Sequence, residues 1–279
     1  MAIVSGLIFW IKEQSFQSGT IILLYQPSEE NGKGAERVLN DKRFQELKTD
    51  YIFALHNIPQ EPLNSIITMD KGFSAEVLSF IVSLKGKESH AAEPENGINP
   101  SQGIADIIAT LSKLNNDNPN DDNFSVLTPV HINMGQKSYG ISPANGELHY
   151  TVRTWSTYKL NNLKSKILKT IENCSANHDL RYEVEWLEYF PASRNNSKCN
   201  KHVTKAAQEN DFSIIERPYP FKFGEDFGWF TKDYATAMFG LGSGIDSPAL
   251  HHSEYDFPDE IIETGIDIFK TIIQNILED

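Results

Sequence analysis

The sequence predicts an α/β protein: a parallel-rich mixed sheet flanked by helices, interrupted by an inserted α+β domain. Short apolar runs at residues 20–25 and 51–55 alternate with helical patterns, which is typical of parallel strands buried on both faces. Between residues 74 and 188 the order becomes strand, helix, strand, strand, helix, strand, the split βαβ arrangement. We therefore expect a discontinuous parent domain, residues 1–73 and 189–279, and an inserted domain, residues 74–188.

The parent domain is predicted to open with an amphipathic helix over residues 1–11, whose apolar positions recur at helical spacing. The run 20–25 (TIILLY) predicts a buried strand that ends before Pro27. A helix over residues 32–47 and a strand over 51–55 (YIFAL) would complete a βαβ crossover. A linker-like tract at 195–200 is followed by predicted elements that return to the α/β pattern: a helix near 201–209, a strand at 236–241 and a helix at 259–277.

The inserted domain begins with the alternating pattern of residues 76–85, which predicts a half-exposed strand. The polar tract 114–123 (LNNDNPNDDN) predicts a solvated loop. The other predicted elements are a helix at 100–113, strands at 125–133 and 147–154, a helix at 160–178 and a strand at 182–187.

Composition narrows the functional classes. Lys and Arg number 25 against 38 Asp and Glu, so the net charge of −13 argues against nucleic acid or an anionic membrane surface as a partner. The apolar opening run is too short for a membrane span and lacks the flanks of a signal peptide. Cys174 and Cys199 are expected to be reduced thiols, with a single bridge as the alternative. We therefore predict a cytoplasmic protein.

Chemistry-bearing residues follow the predicted buried strands. Glu29 and Glu30 come after the first strand, and His56 ends the second. Because ligands bind beyond the carboxyl ends of strands in open α/β sheets, these side chains are candidates for one site. Taken alone, the two glutamates fit a solvated loop better than a binding site, and a lone histidine at the position of His56 is more often structural than a ligand. The distant segment with His251 and His252 would add imidazoles, and carboxylate with imidazole donors suits zinc or manganese.

The motifs QPSEE, ALHN, SHAAEP, TVRT, FGEDF and LHHSEYDFPDE, in this order, resemble the aminoacylase and carboxypeptidase-type metallopeptidases. The resemblance covers nearly all of the chain and is nearest to the amidohydrolases that act on N-acyl amino acids. It implies a catalytic α/β domain that holds one or two divalent ions, zinc or manganese, and an inserted lid domain that forms a homodimer. The implied substrate is a small N-acyl amino acid or related amide.

The resemblance also implies roles for the residues of the parent domain. Glu29 matches the family's general base, and Glu30, His56 and His251 match metal ligands. It leaves His252 as a neighbour rather than a ligand.

In the lid, His90 matches a histidine that stabilises the tetrahedral oxyanion in a partner subunit's site. Arg153 lies in the TVRT strand, where it is a candidate for substrate carboxylate recognition, and a lid ion pair is an equal alternative. Glu225 and Asp226 are expected to support or cap the site rather than bind metal.

Two departures from the family pattern affect the functional prediction. The Cys-Gly-His-Asp-x-His segment, which supplies two further metal ligands, is absent upstream of the first helix, and the lid sequence 140–143 (GISP) lacks the family's asparagine. Three interpretations stay open: an amidohydrolase impaired by an incomplete catalytic domain, a non-catalytic dimerising remnant, and one piece of a split enzyme.

Overall fold

Two units, each with its own sheet, make up the part of the chain that the computed structural model describes, residues 1–70 and 72–278. The first unit contains residues 1–74, 193–221 and 225–279, and the second contains residues 75–192 and 222–224.

Seven α-helices and ten strands are formed by the described residues. The helices are α1 (Ala2–Glu13), α2 (Gly34–Leu39), α3 (Lys42–Gln45), α4 (Ser101–Leu111), α5 (Thr157–Asn177), α6 (Ser197–Glu209) and α7 (Ile261–Leu277). The strands are β1 (Tyr51–Ile58), β2 (Ile66–Thr68), β3 (Glu76–Lys85), β4 (Ser89–His90), β5 (Ser125–Met134), β6 (Ile141–Ser142), β7 (Asn145–Thr154), β8 (Arg181–Phe190), β9 (Ile214–Glu216) and β10 (Ala235–Gly242). Short 3₁₀ turns occupy Glu29–Asn31, Pro94–Asn96, Ser112–Leu114 and Asp226–Lys232.

The sheet of the first unit is mixed, with the order β1-β10-β2-β9. β1 and β10 are parallel along their full length, from Tyr51 opposite Ala235 to Ile58 opposite Gly242. β2 runs antiparallel to β10 and parallel to β9. Helices α1, α6 and α7 supply apolar side chains to the core that also contains β10. In this core the ring centroids of Phe239 and Phe269 are 5.6 Å apart. This sheet with its helices confirms the predicted α/β class.

The sheet of the second unit is antiparallel, with the order β5-β7-β3-β8. Alternate residues of β3 and β7, such as Phe80, Val82 and Leu148, are fully buried in a core shared with α4 and α5. The split βαβ element order is thus present, with the two-residue strands β4 and β6 paired to each other. β3 is more buried than the half-exposed strand that its alternation predicts, because seven of its ten residues are buried and one more is half-buried.

The prediction of a buried strand at residues 20–25 is wrong. This segment belongs to no strand, and Ile22, Leu24 and Tyr25 are 36–45% exposed. The predicted βαβ crossover is therefore not formed, and β1 takes β10 as its parallel partner instead. An apolar run becomes a strand only when a neighbouring strand accepts its backbone hydrogen bonds, and the described residues provide none here.

The helix predicted over residues 32–47 is divided into α2 and α3. The chain leaves α2 at Asn40, and the Asp41 side chain then caps α3 by accepting a hydrogen bond from the Arg43 backbone N–H at 2.8 Å. The linker predicted at 195–200 is also wrong in part, since α6 begins at Ser197 after the Asn196 cap. In both places the side chain of an Asp or Asn residue caps the start of a helix. The polar composition of these segments does not by itself distinguish such a cap from a loop residue.

Both cysteines are free thiols rather than a disulfide, as predicted. Both are buried, and burial raises the pKa of Cys199 to about 11. None of the helices in the described ranges has the length and apolar character needed to cross a membrane.

Candidate metal centre

His56 lies near the carboxyl end of β1 and is mostly buried. Its Nδ1 lies 2.7 Å from the Asn57 carbonyl oxygen, which can only accept, so this nitrogen carries the proton. Burial lowers the pKa of His56, which favours the neutral ring. The remaining nitrogen, Nε2, therefore presents a lone pair, and it lies 3.4 Å from Oε1 of Glu225. This is the state in which an imidazole binds a metal ion.

Glu29 and Glu30 occupy a single tight turn between two residues in the left-handed region, Ser28 (φ 61°) and Gly32 (φ 71°). Glu29 is half-buried, whereas Glu30 is exposed. Burial, followed by the nearby charges of Asp226 and Glu30, raises the pKa of Glu29.

Asp226 fastens this turn to the rest of the first unit. Its carboxylate accepts hydrogen bonds from the Gln26 side chain at 2.7 and 2.8 Å and from the Ala35 backbone N–H at 2.9 Å. The backbone at Gly34 lies so close to the backbone at Pro27 that a Cβ on Gly34 would be 2.0 Å from the Pro27 carbonyl oxygen. Asp226 thus positions the segment that carries both glutamates.

Glu225 is a buried carboxyl group at the centre of the site, where the sequence analysis expected only a supporting or capping residue. It is 6% exposed and interacts with the Glu29 side chain. Burial, and then the charges of Glu29, Asp226 and Glu30, raise its pKa well above the ordinary value. The only available signal was its position in the FGEDF motif, directly before Asp226. Four carboxyl groups, Glu29, Glu30, Glu225 and Asp226, are therefore crowded together, and we call them the carboxylate cluster.

His251 belongs to the exposed turn after β10 and adopts a left-handed backbone (φ 64°). It interacts electrostatically with Glu29 and His56, so this turn reaches the carboxylate cluster. A hydrogen bond from the Asn57 side chain to the Tyr255 hydroxyl fastens the same loop to the end of β1.

The donor set was compared with what a divalent ion needs. Carboxylate oxygens and a neutral imidazole are suitable donors, and a cation would relieve the repulsion within the carboxylate cluster. However, nowhere in residues 1–70 and 72–278 are three or more His, Cys, Asp or Glu side chains placed to hold one ion. The chemistry of the site thus fits a metal ion, while the side chains form no closed coordination shell.

His90 and Arg153 belong to the second unit. His90 is exposed on β4, and its Nδ1 accepts a hydrogen bond from the Ala92 N–H at 3.0 Å, so the neutral ring carries its proton on Nε2. Arg153 on β7 donates to the Lys222 carbonyl oxygen at 2.6 Å, and burial lowers its pKa. Within the described residues Arg153 forms no ion pair with a carboxylate.

The sequence is similar to known proteins over nearly its whole length. The sequence profile of peptidase family M20/M25/M40 matches residues 1–275. An uncharacterised hydrolase of Staphylococcus saprophyticus is 24% identical over 262 residues, covering 92% of this chain and 68% of that protein. One from Staphylococcus haemolyticus is 23% identical over 286 residues, covering 99% of this chain and 74% of that protein.

Two solved structures share the fold. A Bacillus subtilis protein, described as a dinuclear metal-binding peptidase from the M20 family, superposes with a TM-score of 0.74 at 22% identity. The match covers 91% of this chain and 64% of that one. A putative aminohydrolase from methicillin-resistant Staphylococcus aureus gives a TM-score of 0.77 at 16% identity, covering 90% and 65%. The chain thus spans about two thirds of the length of these relatives, and at such identities the structures show the fold alone.

Proposed function

The chain belongs to peptidase family M20/M25/M40, and we propose that it is a metal-dependent hydrolase of the amide bond in N-acyl amino acids or similar small amides. The observation that carries this proposal is the carboxylate cluster beside the neutral ring of His56. Buried carboxyl groups that repel one another are retained where a cation or a proton is handled, so the cluster fits hydrolytic chemistry better than a structural role.

We assign Glu30, His56 and His251 as the residues that would hold the metal ion. A zinc or manganese ion, when bound, supplies Lewis-acid chemistry that activates water and polarises the scissile carbonyl. Glu29 acts as the general base. Its pKa is raised above that of an exposed glutamate and so lies closer to neutral pH, where a general base is most effective. It takes a proton from the attacking water and passes it to the amide nitrogen as the C–N bond breaks.

We assign substrate roles to two residues of the second unit. His90 carries its proton on Nε2, so it can donate a hydrogen bond to the oxyanion of the tetrahedral intermediate. Arg153 is partly desolvated and forms no ion pair with a described carboxylate, which suits it to bind the substrate's carboxylate.

We further propose that this chain binds its metal weakly and turns over slowly, because Glu30, His56 and His251 are not placed as a closed set of three donors around one ion. The test is hydrolysis of N-acetyl amino acids with added zinc or manganese, compared with a full-length family member that hydrolyses the same substrate. We expect a rate at least about 100-fold below that relative, lowered further by Glu29→Gln, since a general base contributes about 10²–10⁴-fold. A rate equal to the relative's contradicts the impairment. Activity that survives Glu29→Gln but is lost with the exposed control Glu254→Gln contradicts the assigned base.

A second proposal is that the second unit forms a homodimer and acts as a lid and dimerisation domain. Its edge strand β5 exposes Val130, Ile132 and Met134 at 40–58%, an apolar row that an isolated chain leaves in water. Light scattering coupled to size-exclusion chromatography tests this, and a strict monomer at micromolar concentration contradicts it.

A further inference from the structure

Two histidines lie directly opposite each other on neighbouring strands of the second unit. His131 on β5 pairs with His149 on β7, and side chains at directly opposed positions of an antiparallel pair share one face of the sheet. Their ring centroids are 5.1 Å apart, and the ring planes are nearly perpendicular, at 89°. Leu148 and Tyr150 flank His149 along β7 and are buried in the core with α4 and α5. The two imidazoles therefore lie on the opposite face of the sheet.

Glu147 orients one of these rings. Its Oε1 lies 2.5 Å from His149 Nε2. An ionised carboxylate only accepts hydrogen bonds, so Nε2 carries the proton and Nδ1 of the neutral ring presents a lone pair. Histidines that bind metals in proteins usually donate their other ring N–H to a carboxylate, a backbone carbonyl or water, which fixes the tautomer and the ring orientation. Glu147 and His149 have this arrangement.

The separation of the two rings fits a shared ion. In tetrahedral coordination with metal–nitrogen bonds of about 2.1 Å, two imidazoles on one ion have centroids about 5 Å apart. The observed 5.1 Å matches this spacing. An edge-to-face ring contact has a similar separation, but it does not require a carboxylate to orient one ring. His131 is exposed, so its ring can turn a nitrogen toward an ion without displacing a core side chain.

The strand that carries His131 has few buried residues in this half. Ser125 and Leu127 at the start of β5 are buried, whereas residues 128–134 are all exposed. The pairing of β5 with β7 is also interrupted between Pro129 and His131. An ion held by one residue of each strand would join the exposed half of β5 to β7 directly after this irregularity.

We propose that His131 and His149 bind one transition-metal ion of the kind that accepts imidazole ligands, such as zinc, nickel or copper, with Glu147 as the hydrogen-bonding partner of His149. Water fills the remaining coordination positions. Only two protein side chains bind the ion, in keeping with the absence of any group of three donors among the described residues. Manganese and magnesium prefer oxygen ligands and bind poorly here. The site lies within the second unit and does not depend on the function proposed for the carboxylate cluster.

The test is a nickel titration of the full chain carrying His56→Ala, followed by isothermal titration calorimetry in excess manganese. The substitution and the manganese suppress nickel binding at the carboxylate cluster, where most donors are oxygen atoms. We expect a saturable site for one nickel ion per chain, lost on adding His131→Ala or His149→Ala. Glu147→Gln should weaken nickel binding by about tenfold or more, because loss of such a hydrogen-bonding partner typically reduces metal affinity by about 10–100-fold.

His178→Ala is the matched control. His178 is also hydrogen-bonded to a carboxylate in the second unit, that of Asp106 at 2.8 Å, so this variant removes a similar histidine from another part of the unit. It is expected to leave nickel binding unchanged. Bound nickel should also slow amide exchange in residues 130–134 by at least about tenfold, since the ion restrains β5 against β7. Circular dichroism confirms that the variants fold.

Three results would overturn the proposal. They are the absence of a saturable nickel site, a site that persists in both His131→Ala and His149→Ala, and an equal loss of binding in His178→Ala. Unchanged amide exchange in residues 130–134 with nickel bound would contradict a bridge between the two strands.

Discussion

At the scale of single residues, the first unit contains acidic side chains that repel one another. Glu225 is buried and faces Glu29, Asp226 and Glu30, so ionising it is unfavourable. Its raised pKa means that Glu225 holds its proton more tightly than an exposed glutamate does, with burial as the main cause.

The pH dependence of stability follows from the direction of the shift. The pKa of Glu225 in the folded chain is raised above its ordinary value of 4.5. Its contribution to stability is therefore complete below pH 4.5 and is lost as the pH rises through the raised pKa. In EDTA, Glu225→Gln should raise the free energy of unfolding at pH 8 by about 1–3 kcal/mol and change it little at pH 4.

Urea unfolding at the two pH values measures this difference. The exposed control Glu254→Gln removes the same charge and should have no such pH-dependent effect. An equal gain in both variants would show that net charge, rather than the buried carboxyl, sets the stability.

Gly34 offers a steric prediction at the same scale. A Cβ at this position meets the Pro27 carbonyl oxygen at 2.0 Å and approaches Asp226, so Gly34→Ala should destabilise the chain by about 1–3 kcal/mol. Gly140→Ala is the control, since nothing lies within 4 Å of its added methyl group. Thermal melting of the two variants checks the prediction, and equal melting temperatures would contradict it.

At the scale of elements, caps determine where helices begin. The Asn196 side chain accepts hydrogen bonds from the Lys198 and Cys199 N–H groups and so starts α6 immediately after a tract that resembles a linker. The α6 helix then buries Cys199, Val203, Ala206 and Ala207 against the core of the first unit.

Removal of this cap should be measurable. Asn196→Ala is expected to lower the free energy of unfolding by about 1 kcal/mol, because two N–H groups at the helix start lose their acceptor. Asn196→Asp keeps the acceptor and should remain close to wild type in urea unfolding. A comparable loss in both variants would mean that the asparagine contributes through contacts other than the cap.

At the scale of the whole molecule, ligand binding and stability are linked. A cation that binds the folded chain and not the unfolded one raises the free energy of unfolding, by about 2.7 kcal/mol at 100 times its dissociation constant. Because the described donors form no closed shell, we expect that stabilisation only at high metal concentration.

Differential scanning fluorimetry with zinc or manganese tests this linkage. The melting temperature should rise by a few degrees, as expected from roughly 2–4 °C per kcal/mol in a chain of this size. His56→Ala should abolish the rise, whereas the exposed control His252→Ala should keep it. A rise that persists in His56→Ala would place the metal elsewhere.

The sequence by itself determined the α/β class, the split βαβ order of the second unit and most helix and strand positions, because apolar periodicity reports local burial. It also singled out Glu29, Glu30 and His56 as residues that follow the apolar runs. It could not determine that the run 20–25 remains unpaired, since pairing depends on a neighbouring strand rather than on the run itself.

Only the tertiary structure decided the centre of the site. Glu225 lies about 200 positions from Glu29, and no local pattern links them. The interaction between these carboxyl groups, and the approach of His56 Nε2 to Glu225, arise when β1, the 3₁₀ turns and β10 are brought together. Local sequence sets which elements form, whereas the environment of a titratable group is set by residues distant along the chain.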